Sequence, residues 1–320
     1  MPIRSIFALA SASSRQHGIS PYALQPAEVQ QERINYLSME NLIKFNSIDE
    51  YNKAMGFETK HPLVAVVDLK KADKKAFPQE VSYYYGVYAL FLKQTYCGDI
   101  TYGRMPYDYQ EGTVTSFAPG QVVHVRHRPD YEPNALGLLF HGTSLGQEIK
   151  QYSFFSYSST EALHLSEQEK MIYKDCLEKI KIETERPIDN HSKKLICRNI
   201  ELLLDYCMRF YERQFITRKV VNRDILTKFE NELDGYFEGD TAAVNGLPTV
   251  KYFAEKCFLS PNYFGDLIKR ETGRTPQEYI QNKIMDLAKD ELLGTRKTIN
   301  EISYGLGFQY SQHFNRYFKR

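Results

Sequence analysis

Apolar positions along the chain follow two periods, one for each half. From about Phe45 to Leu145 they fall in short runs rich in β-branched and aromatic residues: Pro62 to Leu69, Val81 to Lys93, Thr113 to Ala118, Gln121 to Arg126 and Leu136 to His141. Clusters of Gly, Pro and Asp separate these runs, so they read as strands, and several short strands at close spacing imply an antiparallel barrel or jelly roll. After Ser153 the period becomes helical. Ser166 with Glu169 forms a capping box that opens a helix to about Ile182, which stops before Pro187. The next helix, about Ser192 to Arg213, spaces Ile196, Ile200, Leu203, Cys207 and Phe210 by four, three, four and three, as in a short coiled-coil seam. A third segment carries Ile225, Phe229, Leu233 and Tyr236 on one face.

The last quarter, Pro248 to Arg320, contains one pattern twice. Val250, Phe253, Ala254 and Leu259 recur as Ile299, Ile302, Ser303 and Phe308 at an offset of 49, and Phe264, Leu267 and Ile268 recur as Phe314, Tyr317 and Phe318 at an offset of 50. Each copy is a short apolar i, i+3, i+4 run, a break and a second amphipathic segment, as in a helix-turn-helix unit. Ser260 before Pro261 predicts one helix start, Thr298 with Glu301 another, and Thr275, Pro276 and Glu278 a third between the copies. The connector from Pro276 to Leu293 would be roughly 27 Å long at 1.5 Å per residue, near the ~34 Å between successive major-groove faces. One chain could therefore read two adjacent grooves.

The stretches "VKYFAEKCFLSPNYFGDLIKRETGRTPQEYI", "AKDELLGT" and "INEISYGLGFQYSQHFNRYFKR" together resemble the AraC/XylS family of bacterial transcription regulators. The resemblance implies double-stranded DNA as partner and assigns the outward residues of both second helices to it. In the first these are Asn262, Gly265, Asp266 and Lys269; in the second, Ser311, Gln312, Asn315, Arg316 and Lys319, with His313 at the margin. Asn, Gln and Arg suit base edges and Lys suits phosphate, whereas Gly265 brings no side chain and Asp266 is repelled by phosphate. Ile284 stands where the family commonly carries Arg. The chain also stops at Arg320, short of the family's Gly and Pro-x-x-Tyr-Arg tail, as a truncated gene would.

Within the β-rich half, "YDYQEGTVTSFAPGQVVHV" and "LGLLFHGTSL" look like the cupin-type effector domain that many such regulators carry. The expected fold is thus α+β: a cupin-like antiparallel β-barrel, a helical hairpin and an all-α double helix-turn-helix domain. Abundant tyrosines could line a cavity for a small-molecule effector. Tyr83, Tyr85, Tyr88, Tyr102 and Tyr107, with His124, are the candidates. A metal-dependent cupin enzyme fused to a DNA-binding module is the competing class. It calls for His-x-His, whereas His124 and His127 are three apart and face opposite ways on a regular strand; His141 and Glu132 could still approach. A third reading is a DNA-binding regulator that takes no ligand. No cofactor or metal is called for.

Charge sharpens the division. The chain of 320 residues carries a net charge of only +1, but from Pro248 onward twelve Lys and Arg face eight Asp and Glu. Five cysteines without C-x-x-C spacing read as buried thiols in a reducing compartment, and no apolar run approaches a membrane span. A cytoplasmic protein is expected. The five-residue apolar run Ile6 to Ala10 is too short for an export signal, so residues 1–40 read as a disordered or over-extended leader with Met39 as a plausible initiator. The remaining divisions are 41–160 for the sensor, 161–237 for a helical dimerisation region built on the Ile196 to Phe210 seam, 238–247 for a linker and 248–320 for DNA binding. A homodimer is the expected assembly, and RNA polymerase stands as a further candidate partner.

Overall fold

The computed structural model describes residues 42–94, 101–102, 105–106, 112–127, 132–157 and 161–318. The expected leader, Tyr107 and Lys319 lie outside them, and of Tyr102 only the backbone is described. The strands are β1 (Leu42–Phe45), β2 (Val64–Asp68), β3 (Glu80–Tyr85), β4 (Tyr88–Lys93), β5 (Thr101–Tyr102), β6 (Met105–Pro106), β7 (Thr113–Phe117), β8 (Gln121–Arg126), β9 (Ala135–Phe140) and β10 (Leu163–His164). Helix α1 (Ile48–Met55) precedes β2, and the others follow β10: α2 (Glu167–Glu185), α3 (Ser192–Thr217), α4 (Lys219–Glu238), α5 (Thr241–Asn245), α6 (Val250–Lys256), α7 (Pro261–Thr272), α8 (Pro276–Gly294), α9 (Ile299–Gly305) and α10 (Ser311–Phe318).

Two sheets carry the β-rich half, one of order β1-β3-β8 and one of order β10-β7-β4-β9-β2, with β5 and β6 forming a separate hairpin. Among the described residues no ladder joins the two sheets into a closed barrel. Nor is the smaller sheet wholly antiparallel, because β1 runs parallel to β3. The run expected as one strand from Val81 to Lys93 is two, β3 and β4, in different sheets. The chain crosses over at Gly86, where a Cβ would stand 2.8 Å from the Asn46 backbone.

Alternation on the five-stranded sheet explains why its strands read as nearly continuous apolar runs. Ala65, Val67, Ala89, Phe91 and Leu139 join Phe45, Tyr83, Tyr85 and Val123 in one core. Their neighbours Val64, Leu90, Leu92, Leu138 and Phe140 belong to a second core with α2 and α3. Both faces are covered, so both sets of side chains must be apolar.

The coiled-coil seam also finds its partner inside the chain. Ile196, Ile200, Leu203, Cys207 and Phe210 are all at most 3% exposed and pack into that second core. Side chains already removed from water gain nothing from a second copy, so within one chain this stripe serves the internal core.

Phe229 of α4 touches Phe253, Phe264 and Tyr279, with ring centroids 5.2, 5.2 and 5.4 Å away, so the third helix serves the core of the C-terminal repeat. The segment read as a linker is folded: α5 buries Ala242, and the Tyr236 hydroxyl donates to the Gly246 carbonyl at 2.9 Å.

Candidate DNA interface

Both copies of the repeat build the same local structure. In the first, the N–H groups of Cys257, Phe258 and Leu259 donate to the carbonyls of Phe253, Glu255 and Ala254; in the second, Leu306, Gly307 and Phe308 donate to Ile302, Tyr304 and Ser303. Helix α7 then starts at Ser260, whose hydroxyl accepts from Tyr263 N–H at 3.3 Å, with Pro261 at its first position. Phe264, Leu267 and Ile268 are fully buried beneath it. Helix α8 opens with a capping box between Thr275 and Glu278 and buries Ile280, Ile284 and Ala288 along one stripe. Ile284 is therefore a core residue here, with no role for an Arg at that place. Its 19 residues make α8 roughly 28 Å long. A third capping box, Thr298 with Glu301, starts α9, and α10 is anchored by Phe314 against Phe308 and Phe318.

Helix α10 leaves Gln312, His313, Asn315 and Arg316 exposed and Ser311 half-buried. No ion pair involving these side chains occurs among the described residues, and His313 packs only edge-on against Tyr310. On α7, Asn262 and Lys269 are exposed, whereas Gly265 and Asp266 are half-buried.

The cause lies outside the repeat. Ser153 and Tyr157, at a 3-10 turn that precedes β10, both donate to Asp266 Oδ2, at 2.7 and 2.5 Å. Nearby Glu161, only 2% exposed, accepts from the backbone N–H of Ser260 at 2.6 Å through one oxygen and from its hydroxyl at 2.5 Å through the other. Tyr263 stacks edge-on against Tyr157 at 5.2 Å and packs on Phe215 of α3 at 4.9 Å, and Arg270 lies over the Phe215 ring. Burial, then the Asp266 charge, pushes the Tyr157 hydroxyl well above its ordinary pKa, which keeps it a donor. Sequence reasoning missed Ser153, Tyr157, Glu161 and Tyr263. One signal was present: a carboxylate at Asp266 is out of place on a helix that meets phosphates.

The expected effector residues are placed differently. Tyr83 and Tyr85 are core side chains packed on Phe45, and Tyr83 donates to the Ala76 carbonyl at 2.9 Å. Tyr88 stacks on Phe140 at 5.3 Å. His124 faces Ser82 and Glu80 across the small sheet, at 3.2 and 3.6 Å. Tyr83, Tyr85, Tyr88 and His124 are not among the residues that line the cleft beside β2. That cleft, of about 680 Å³, lies between β2 and α2, walled by Val64, Val66, Leu136 and Leu177. At its end Asn52, 2% exposed, donates to Thr59 Oγ1, which itself donates to Asp49; this leaves Asn52 Oδ1 as an acceptor without a partner.

The competing metal centre has no assembled ligand set among the described residues. His127 is turned to the Pro78 carbonyl, His141 to Thr143 and Glu132 to Lys74. No described helix is long and apolar enough to cross a membrane.

Two helix-turn-helix units on one rigid connector define a DNA-binding protein, and comparison with known proteins agrees. A helix-turn-helix domain family matches residues 253–320. The chain is 33% identical to the Transposon Tn10 TetD protein of Escherichia coli over 133 residues, which is 41% of this chain and 83% of TetD. It is 35% identical to the uncharacterized HTH-type transcriptional regulator YobQ of Bacillus subtilis over 72 residues, 22% of this chain. The match spans only 30% of YobQ's length. The C-terminal domain of the two-component response regulator YesN from Fusobacterium nucleatum matches 28% of this chain and 82% of its own length, at 27% identity and a TM-score of 0.25. The chain belongs to the AraC/XylS family of DNA-binding transcription regulators.

Proposed function

We propose that this regulator is sequence-specific and responds to a small molecule, with residues 42–217 as the cupin-like sensor and its hairpin and residues 218–320 as the reader. The observation that carries the reading is the exposed row Gln312, Asn315 and Arg316 on α10, joined to the α7 unit by the roughly 28 Å connector α8. Gln312 suits adenine N6 and N7, Arg316 suits guanine O6 and N7, and Asn262 is the base-reading side chain of α7, with Lys269 on phosphate. Selection of bound duplexes from a random pool tests it. Enrichment of a bipartite site whose halves lie about 10 base pairs apart is expected; no enriched sequence would overturn specificity.

The cleft beside β2 replaces the tyrosines as the proposed effector site. Its volume lies within the ~300–1,000 Å³ range of ligand pockets, an apolar patch of Val64, Val66, Leu136 and Leu177 lies among its charged side chains, and the buried Asn52 Oδ1 has no partner. On the rim Lys60 pairs with Glu185 at 3.0 Å, and the apolar patch suits a ligand with an apolar body and a hydroxyl or amide donor. A melting-temperature series with 1-octanol and monocaprylin, run on the wild type and on Leu136→Trp, checks this. Stabilisation confined to the wild type supports the site, and an equal response in both removes it.

A further inference from the structure

The N-terminus of a recognition helix has two properties that suit DNA: unpaired backbone N–H groups and the positive end of the helix dipole, which together receive a phosphate. At α7 that seat is taken. Glu161, 99 positions earlier in the chain, holds the Ser260 N–H and hydroxyl with its two carboxylate oxygens, as a phosphate would with two of its own. Nearly two helical turns further on, Tyr157 and Ser153 close over Asp266, on the flank of the face that carries Asn262, Gly265 and Lys269. A side chain reads a base edge at hydrogen-bond distance, and a groove cannot come that near Asp266 while two hydroxyls and the turn that bears them stand there.

We propose that Ser153, Tyr157 and Glu161 form an autoinhibitory latch in which Glu161 acts as a phosphate mimic, so that α7 enters the major groove only after the latch has swung away. In the latched chain α10 alone is free to meet DNA, and α7 joins it on release. Opening exchanges these intramolecular bonds for phosphate contacts, so DNA and latch compete for one helix end. The path to the rest of the protein is continuous. Tyr211 of α3 packs edge-on against Tyr157 at 5.2 Å and donates to the Glu161 carbonyl at 3.2 Å, α3 lies against α2, and α2 forms one wall of the cleft. A change in the α2–α3 packing therefore bears directly on the latch.

The test uses the full chain and a 40-base-pair random-sequence duplex, with affinity followed by fluorescence anisotropy at several salt concentrations. Two release variants are compared with wild type: Ser153→Ala with Tyr157→Phe, which keeps the ring packed on Tyr211 and Tyr263, and Glu161→Gln. Each should bind more tightly, within the ~5- to 150-fold span typical of coupled sites. Each should also show a steeper salt dependence, by about 0.9 in the logarithmic slope for every phosphate gained. Variants that bind no more tightly and with an unchanged slope overturn the latch. If Glu161→Gln fails to fold, the hydroxyl variant decides alone. The proposal rests on α7 and α10 being the reading helices, and Arg316→Ala, measured on a duplex selected for binding to the wild type, separates the two ideas. If that change weakens wild-type binding while the release variants gain nothing, the latch is wrong and the reading stands; if it has no effect, the reading of α10 is wrong.

Discussion

Phe258 and Gly307 stand at the same point of the two helix-turn-helix copies, 49 residues apart, and both take left-handed backbone, with φ of +60° and +89°. Only the second position carries the residue suited to it. The turn demands this conformation because the N–H of each residue closes a bond to the carbonyl three residues earlier while the next N–H reaches back five. At Gly307 the demand is compounded by packing, since a Cβ there would stand 2.8 Å from the Ala242 carbonyl oxygen and 2.7 Å from the Gly246 carbonyl carbon.

The two positions should therefore respond in opposite senses. Gly307→Ala combines left-handed strain of about 1–2 kcal/mol with a clash against backbone that has no rotamer to yield. It should lower stability by at least ~2 kcal/mol in urea denaturation. Phe258→Gly relieves the same strain and gives up only an exposed ring under Lys228, at 4.5 Å, so its stability should equal or exceed wild type. A destabilised Phe258→Gly would show that the ring contact outweighs the backbone.

Leu203→Glu addresses the seam on α3. Leu203 is fully buried within one chain, so the change places an unpaired carboxylate in the core and should cost several kcal/mol. The expected result is a chain that fails to fold, seen by circular dichroism. A folded monomer in sedimentation, from a dimeric wild type, would return the seam to the interface between copies.

On selected DNA, Arg316→Ala should lose about 1–3 kcal/mol and relax the preference at one base pair, if its guanidinium takes a guanine edge. Lys269→Ala should weaken specific and random duplexes alike. Equal losses for both variants on random DNA would reduce Arg316 to a phosphate contact.

Tyr279 couples stability to alkaline pH. Its hydroxyl donates to Glu230 at 2.5 Å, tying α8 to α4, and burial followed by that bond pushes its pKa up to about 12. The unfolded value is near 10, so between those limits the folded chain holds a proton that the unfolded chain has lost. Its contribution is complete below pH 10 and declines as pH rises towards 12. Tyr279→Phe should flatten the alkaline limb of a stability–pH profile relative to wild type. An unchanged limb would assign that slope to the other buried tyrosines.

What the sequence determined by itself is local or repeated. The two helix-turn-helix copies, their three N-caps and the α8 connector were legible because caps, turns and 3.6-residue periods act over a few residues, and because the pattern occurs twice. The outward sets on α7 and α10 follow from the same periods. The strands were legible as runs, but their apolar character on both faces concealed that Val81 to Lys93 is two strands in two sheets.

Only the tertiary structure decided which surfaces meet. The Ile196 to Phe210 seam has the spacing of an interface between copies, yet spacing says nothing about what covers a stripe, and α2 and the sheet cover it here. Tyr83 and Tyr85, chosen for a cavity, lie in a core because burial depends on chain packing, not on residue type. The polar stretch after Tyr236 forms a folded support for Gly307, and α4 belongs with the repeat, because Phe229 found its aromatic partners there. The bonds of Glu161 to Ser260 and of Tyr157 to Asp266 join residues about a hundred positions apart. No local propensity encodes such a pair, since each partner is stable in its own element whether or not the other arrives.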